Sequence, residues 1–449
     1  MNGLRLSGSL QRPVPGGLWP TFFLWVAGLL TLPVTLAQTP WRDTDQSPRL
    51  EPDWCERLPH QQPPAALIAV VQAAGQQLLL LDAAQGTTYS RCRLPVALQG
   101  APRPSPDGRW LYWAASDGWV IRFDLQSGAT LRTRTGLALQ GLALSHDGRW
   151  LLAGHAAPHS AVLLDTDLSR VRDYKAQALS GGLSSAVDHV VTASARNSFV
   201  LTFTSLPEVW EISYSPSAEP IFDGLVHDYR MGEAIASPGF LGVRRTPLPQ
   251  PREFIQIDSA MRHVLLTAPT GKPSADELDI LNLDIRRRIT TLALPQRPRR
   301  AAGDTFTLQG APWVALVNEA DGCVLLLDAR QWRTDTRRLG PVCGVASVRT
   351  HAATPWLWIS HAADTTTQDS LLLVDPTDGH TAHTLHASGA AWTPVQFSAG
   401  GRHALLSARG AAGSVRVVDS RSLLPLWQRS LPTMEAAYFL WGARPEATP

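Results

Sequence analysis

The sequence has little of what marks the common enzyme classes. Only 17% of its 449 residues are charged, and 40 Lys and Arg against 38 Asp and Glu leave a net charge of +2. A nucleic-acid surface needs a basic patch or stripe, and this balance excludes one as the basis of function. There is no GxSxG elbow, no HExxH and no GxGxxG, and PTGKPS at 269–274 lacks the upstream glycine of a phosphate-cradling loop. Ordinary hydrolase, zinc-protease and nucleotide-enzyme chemistries are set aside on those absences. The four cysteines, Cys55, Cys92, Cys323 and Cys343, include no CxxC spacing. Thiol redox catalysis, a zinc ribbon and c-type haem attachment therefore all lack their motif.

One long apolar run exists. Residues 18–36 follow Arg5 and Arg12 and end at Thr35 and Ala37, ahead of Gln38. This is the pattern of a secretory signal peptide over residues 1–37. About 19 apolar residues could also just span a bilayer. Gly28 and Pro33 weaken that helix, however, and the small-residue site follows at once. The expectation is an exported, periplasmic protein with no membrane span after cleavage. In an oxidising compartment the cysteines read as two disulfides. Three pairings are possible, and the short separations favour Cys55 with Cys92 and Cys323 with Cys343.

After an irregular, Pro-rich lead-in at 38–65, one unit recurs at about 40-residue spacing, the range of propeller blades. A turn such as SPDGR (105–109) or SHDGR (145–149) precedes an apolar strand, then a second apolar strand ends in Asp. Those second strands end at Asp82, Asp124, Asp165, Asp284, Asp328, Asp375 and Asp419. An eighth unit, 184–216, carries VWEISYSP in that place and lacks the signature. Short strands closed by tight turns make antiparallel meanders. Each meander leaves an apolar face that only a neighbour can cover, so the blades must close into a ring. The fold expected is all-β, an eight-bladed β-propeller over 66–442 with a tail at 443–449. The strand 436–441 should pair with the first blade, and residues such as Trp110, Trp113, Trp150, Trp210, Trp356, Trp358 and Trp392 should pack between blades.

The exception to the rhythm is 217–252, too long for a blade turn and rich in Pro, Gly and Arg. Within it DGLVHDYRMGEA (223–234) holds His227, Tyr229, Arg230 and Glu233, with Arg244 and Arg245 following. A long, chemically loaded loop on a regular scaffold is where function usually sits. His227 can ligate a metal or move a proton, Tyr229 can donate from its phenol, and the arginines offer forks for carboxylates. The set suits an anionic ligand with several carboxylates. The same residues could equally pair with Asp223, Asp228 and Glu233 to pin the loop. His380, His383 and His386 form an HxxHxxH series, but spacing of three along a strand alternates faces, so turn and strand surface is the better reading. His155 and His159 are read as flanking a solvated turn.

From about 101 to 430 the chain resembles the cytochrome d1 haem domain family, the eight-bladed propeller of cytochrome cd1 nitrite reductase and of the NirN and NirF haem d1 maturation proteins. The likeness is closest to the NirN type. Its supports are SPDGRWLYW (105–113), LPEVWEISYSP (206–216), DGLVHDYRMGEAI (223–235), LNLDIRRRI (281–289) and THAATPWLW from Thr350. The resemblance implies a periplasmic funnel holding haem d1 or a precursor, an iron porphyrinoid bearing several carboxylates. His227, Tyr229, Arg230, Arg244, Arg245, Arg299 and His351 would then form its binding set. His351 would be the metal ligand, and His227 or His351 the acid or base.

This sequence also departs from the family. The place of the reductase's axial histidine is Gly100, an expected Ser-Arg pair reads Leu183-Ser184, a Pro-His pair reads Pro298-Arg299, and a second funnel histidine falls at Asn318. With no c-type haem motif in this sequence, electrons would have to pass through a partner such as a c-type cytochrome. Nitrite reduction by this chain alone is not expected. The resemblance implies haem d1 maturation or delivery to cytochrome cd1 nitrite reductase, with or without a dehydrogenation of the dihydro-haem d1 type. The rival reading is a cofactor-free propeller that serves as a protein-binding module.

Overall fold

Short apolar segments separated by turn residues fold back beside the strand just completed, so each repeat becomes an antiparallel meander. The computed structural model of the chain describes residues 47–51, 54–56, 64–72, 75–222, 236–272, 276–335, 342–361, 370–387 and 391–441. Among these residues eight sheets form an eight-bladed β-propeller. Blades 2 to 8 begin with the inner strands Leu98–Pro104, Ala138–Leu144, Val187–Ala193, Glu253–Ile257, Asp304–Leu308, Val345–Arg349 and the split pair Ala391–Trp392 and Gln396–Phe397. In blade 1 the inner position is taken by the C-terminal strand Met434–Trp441, paired with Ala66–Gln72, which closes the ring.

Why the middle strands are apolar throughout is clear from the packing. On Ala66–Gln72, Leu67, Ala69 and Val71 face the cluster shared with blade 2, while Ile68 and Val70 face the cluster shared with blade 8. Both faces of the strand are buried, so no polar alternation survives. Eight such clusters among the described residues fill the eight blade interfaces. Trp113, Trp210 and Trp358 are among the largest fully buried side chains in them.

The terminal Asp of each third strand has a local role. Its Oδ1 accepts backbone N–H groups of the next turn: Ala84 and Gln85 at Asp82, Gln126 and Ser127 at Asp124, Asp167 and Ser169 at Asp165. This satisfies donors that the turn would otherwise leave without partners. In blade 5 the residue in that place is Asn282, which accepts from Asp284 and Ile285, and Asp284 instead pairs with Arg196 and Arg262. The LNLD signature is thus displaced by two residues. In blade 4 Ser213 Oγ accepts from Ser215, which explains why VWEISYSP needs no Asp.

Part of the stretch 217–252 is regular. Val243–Pro247 is the outer strand of blade 4, paired with the strand Glu208–Ser213. Cys55–Cys92 and Cys323–Cys343 form the two disulfides favoured by spacing. Residues 380–386 hold a turn and the outer strand Thr381–His386, with His383 edge-on to Trp356 at 5.8 Å. His155 departs from the expected solvated turn. It is fully buried, with Nε2 2.9 Å from Thr135 Oγ1 and Nδ1 3.3 Å from the Ser160 carbonyl.

Asp165→Ala should remove two turn hydrogen bonds and cost about 1–2 kcal/mol. Asp165→Asn should retain most of that, since Asn282 does the same work in blade 5. Urea unfolding of both variants checks the difference.

Candidate functional site in the lumen of the ring

Antiparallel strand order gives the ring two unlike ends. The loops that lead from one blade to the next all lie at one end, which we call the inter-blade face. The SPDGR-type turns and the Asp-capped turns lie at the other. In blade 7, for example, Val345 is opposite His361 at the inter-blade end and Arg349 is opposite Trp358 towards the far end. Inner strands of neighbouring blades touch along the lumen, as 98–104 does with 138–144 and 138–144 with 187–193. Polar side chains on these strands therefore converge even though they are far apart in sequence.

The first feature is an opening at Gly100. Pairing of Leu98–Pro104 with its neighbour jumps from Gln99–Ala114 to Arg103–Tyr112, so Gly100 to Pro102 bulge out of the ladder. Gly100 has φ 66°, and a Cβ placed there would meet nothing within 4 Å. Its carbonyl accepts from Trp113 Nε1 at 2.9 Å and from the Tyr438 hydroxyl at 3.3 Å.

Beyond the bulge, Arg103 donates Nε to the Leu142 carbonyl at 2.7 Å, and its remaining guanidinium N–H groups have no partner among the described residues. Burial lowers its pKa, opposed by Tyr438, whose own hydroxyl is pushed up by burial against the pull of Arg103. His189 lies flat on Phe254 with centroids 4.4 Å apart. Burial, helped by the charges of Arg300 and Arg103 and opposed by Asp188, brings its pKa down to about 4. At neutral pH it is an uncharged imidazole among cations.

The mouth on the same side carries a chain of ion pairs. Arg300 bonds Asp188 at 2.9 Å and Glu253 at 3.3 Å, and Arg297 joins Glu253 to Glu319. Arg299 donates to the carbonyls of Val345 and Glu319, each at 3.0 Å. Asn318 sits beside it through a bridge to Pro298, and its buried Oδ1 has no partner among the described residues. Deeper in, Asp304 accepts from Thr305 N and Thr350 N, and burial raises its pKa against the pull of Arg349. Arg349 in turn donates to the carbonyls of Ala301, Gly303 and Val348.

Of the residues singled out by sequence, the four among the described residues, Arg244, Arg245, Arg299 and His351, lie in three separate places. His227, Tyr229 and Arg230 lie outside the described residues. Arg244 and Arg245 belong to the outer strand of blade 4. Arg244 donates to the Glu219 carbonyl, and Arg245 bonds Glu208 at 3.1 Å and the Gln177 carbonyl at 2.8 Å while lying over Trp210. Arg299 is at the inter-blade face. His351 is in the turn at the far end of blade 7, its Nδ1 accepting from Ala353 N at 3.1 Å and its ring 5.3 Å from Phe397. Arg103, His189, Arg300 and Tyr438 carry no motif. The signal available for Arg103, His189 and Tyr438 was a polar residue inside an inner strand, two residues before Ser105 in the case of Arg103, while Arg300 lies in the connection before Asp304–Leu308.

Residues 63–223 match the family described as cytochrome D1 heme domain. The chain is 30% identical over 365 residues to the dihydro-heme d1 dehydrogenase of Pseudomonas aeruginosa, covering 80% of this chain and 68% of that protein. A solved structure described as dihydro-heme d1 dehydrogenase NirN in complex with DHE superposes with a TM-score of 0.71 at 27% identity, over 86% of this chain and 80% of that one. A structure described as the eukaryotic initiation factor matches at 0.50 with 10% identity, over 85% and 99% of the two chains, which is a likeness of fold alone.

His155, like His189, is lowered to about 4, chiefly by burial. A free imidazole titrates near 6.5, so between those values the unfolded chain binds more protons than the folded one. Stability should therefore fall as pH drops from about 6.5 towards 4 and be insensitive to these groups above pH 7. His189→Gln should flatten part of that slope. Urea midpoints at neutral and acidic pH measure it, and an unchanged slope would contradict the neutral assignment.

Proposed function

Because this chain belongs to the cytochrome d1 haem domain family, we propose that its lumen binds haem d1 or a late precursor and that the protein acts in maturation or delivery of that group. One observation carries the reading: the lumen gathers Arg103, with N–H groups that have no partner among the described residues, and Arg300 around a neutral His189, next to an opening at Gly100. Guanidinium forks suit the carboxylates of such a ligand. Two further details fit a bound group. A Cβ at Gly100 would point into open space, and Asn318 Oδ1 is buried without a protein partner among the described residues.

When bound, the group supplies an iron centre and an oxidisable ring periphery. The chain's own residues do the rest. Arg299 at the inter-blade mouth and Arg103 further along the lumen would hold carboxylates. The ion-paired Arg300 keeps the Asp188 and Glu253 carboxylates neutralised, so they do not repel an anion. His189 presents a lone pair at neutral pH, which is the form that accepts a proton or ligates a metal. Gly100 contributes no imidazole, which separates this chain from a reductase. His227, Tyr229, Arg230 and His351 remain proposed members of the wider set, reached from the loop and from the far end.

The compartment we propose is the periplasm, with residues 1–37 removed on export. Two disulfides are consistent with an oxidising setting. No helix among the described residues is long and apolar enough to cross a membrane. Delivery would be to cytochrome cd1 nitrite reductase. If the bound side chain is oxidised here, its electrons pass to a separate acceptor such as a c-type cytochrome.

Titrating the signal-free protein with haem d1, with haem b as control, should give selective, saturable binding and a shifted visible band. Arg103→Gln should weaken that binding by about 1.5–3 kcal/mol, the scale of a charge-assisted hydrogen bond. A well-folded protein that binds neither group would favour the rival protein-binding role.

A further inference from the structure

A second, unrelated cavity lies at the seam where blade 8 meets blade 1. Its volume is 490 Å³, within the usual range for small-molecule sites. The short lead-in 54–56 forms one wall. Glu56 N donates to the Arg91 carbonyl and Arg93 N to the Trp54 carbonyl, each at 2.8 Å, and the Cys55–Cys92 disulfide fastens the two segments covalently. Without that wall the site would be an open blade edge.

Three arginines line this one cavity. Arg91 and Arg93 come from the outer strand of blade 1, and Arg429 from the outer strand of blade 8. Arg429 is held in place by the Gly86 carbonyl at 3.0 Å and Thr88 Oγ1 at 2.9 Å. The side chains of Arg91 and Arg93 have no hydrogen-bond or ion-pair partner among the described residues. The single carboxylate in the lining, Glu56, is exposed and bridges to none of the three. Gln72 and Gln77 add amides, while Leu79 and Leu431, on the faces that meet at the seam, supply apolar surface. Like charges gathered in one concave site repel, and their repulsion is relieved when an anion enters. Planar forks favour carboxylates bound through two oxygens.

The geometry points to a binding site for a compact organic polyanion, a di- or tricarboxylate with an apolar edge, separate from the lumen. Neither the ring closure nor the lumen chemistry requires these side chains to converge.

Isothermal titration of the signal-free protein with citrate, and with pyrophosphate as a phosphate-bearing comparison, tests the assignment. Citrate should bind saturably and more tightly than pyrophosphate, and binding should weaken with added salt. The Arg91→Ala/Arg93→Ala double variant should lose affinity by about tenfold or more. Both side chains are exposed, so the melting curve should hold; if it does not, Arg93→Gln alone serves the same comparison. Equal affinity in the wild type and the variant, or no saturation at millimolar citrate, would overturn the proposal. Tighter binding of pyrophosphate would overturn the choice of carboxylate.

Discussion

The pairing of Met434–Trp441 with Ala66–Gln72 converts a row of blades into a ring. Seven residue pairs join the two ends of the propeller sequence. The entropic cost of closing so long a loop grows only logarithmically with length, by about 0.6 kcal/mol for each doubling. What the ladder secures is larger. Leu440 completes the apolar cluster between blades 1 and 2, and Met434, Ala437 and Phe439 complete the one between blades 8 and 1. An open ring would expose both faces to water. Both interfaces of blade 1 depend on this strand, so the ring around the lumen is complete only once it has docked.

Closure also accounts for the electrostatics. Arg103, His189, Asp304, Arg349 and Tyr438 come from the inner strands of five blades, and the titration of each is shifted chiefly by burial. Groups with shifted titration cluster at functional sites more often than elsewhere, though structural networks produce them too. Here both kinds coexist. Arg349 is tied up by backbone carbonyls, and Arg300 and Arg297 by carboxylates. Apart from its bond to the Leu142 carbonyl, Arg103 retains N–H groups with no partner among the described residues, and burial favours the uncharged form of His189. A structural network would be expected to satisfy itself, whereas this one leaves the remaining Arg103 N–H groups without a partner among the described residues.

The blades were legible because their determinants are local. Asp82, Asp124 and Asp165 close their turns through their own neighbours two to four residues on, so spacing alone reveals them. Where a different side chain does the same work, as Asn282 and Ser213 do, pattern reading slips by two residues or misses the cap. The site was less legible. Arg244 and Arg245 look like ligand-binding residues in a chemically rich stretch, yet they lie on an outer strand and bond within their own surroundings. His351 and Arg299 belong to opposite ends of the ring. Neither fact follows from their sequence neighbours, because which end a loop occupies is set by strand parity across whole blades.

Sequence by itself determined the number of blades, the strand that closes the ring, the favoured disulfide pairing and the packing of large aromatics between blades. Each of these follows from hydrophobic periodicity, turn chemistry or short chain separation. Tertiary structure alone decided that Arg103, His189, Arg300 and Tyr438 share one lumen and that Gly100 opens onto space. It also decided that three arginines from the first and last blades meet at the seam. The physical reason is that a propeller packs apolar faces between blades, and so brings inner-edge polar groups together across distances that no local pattern records.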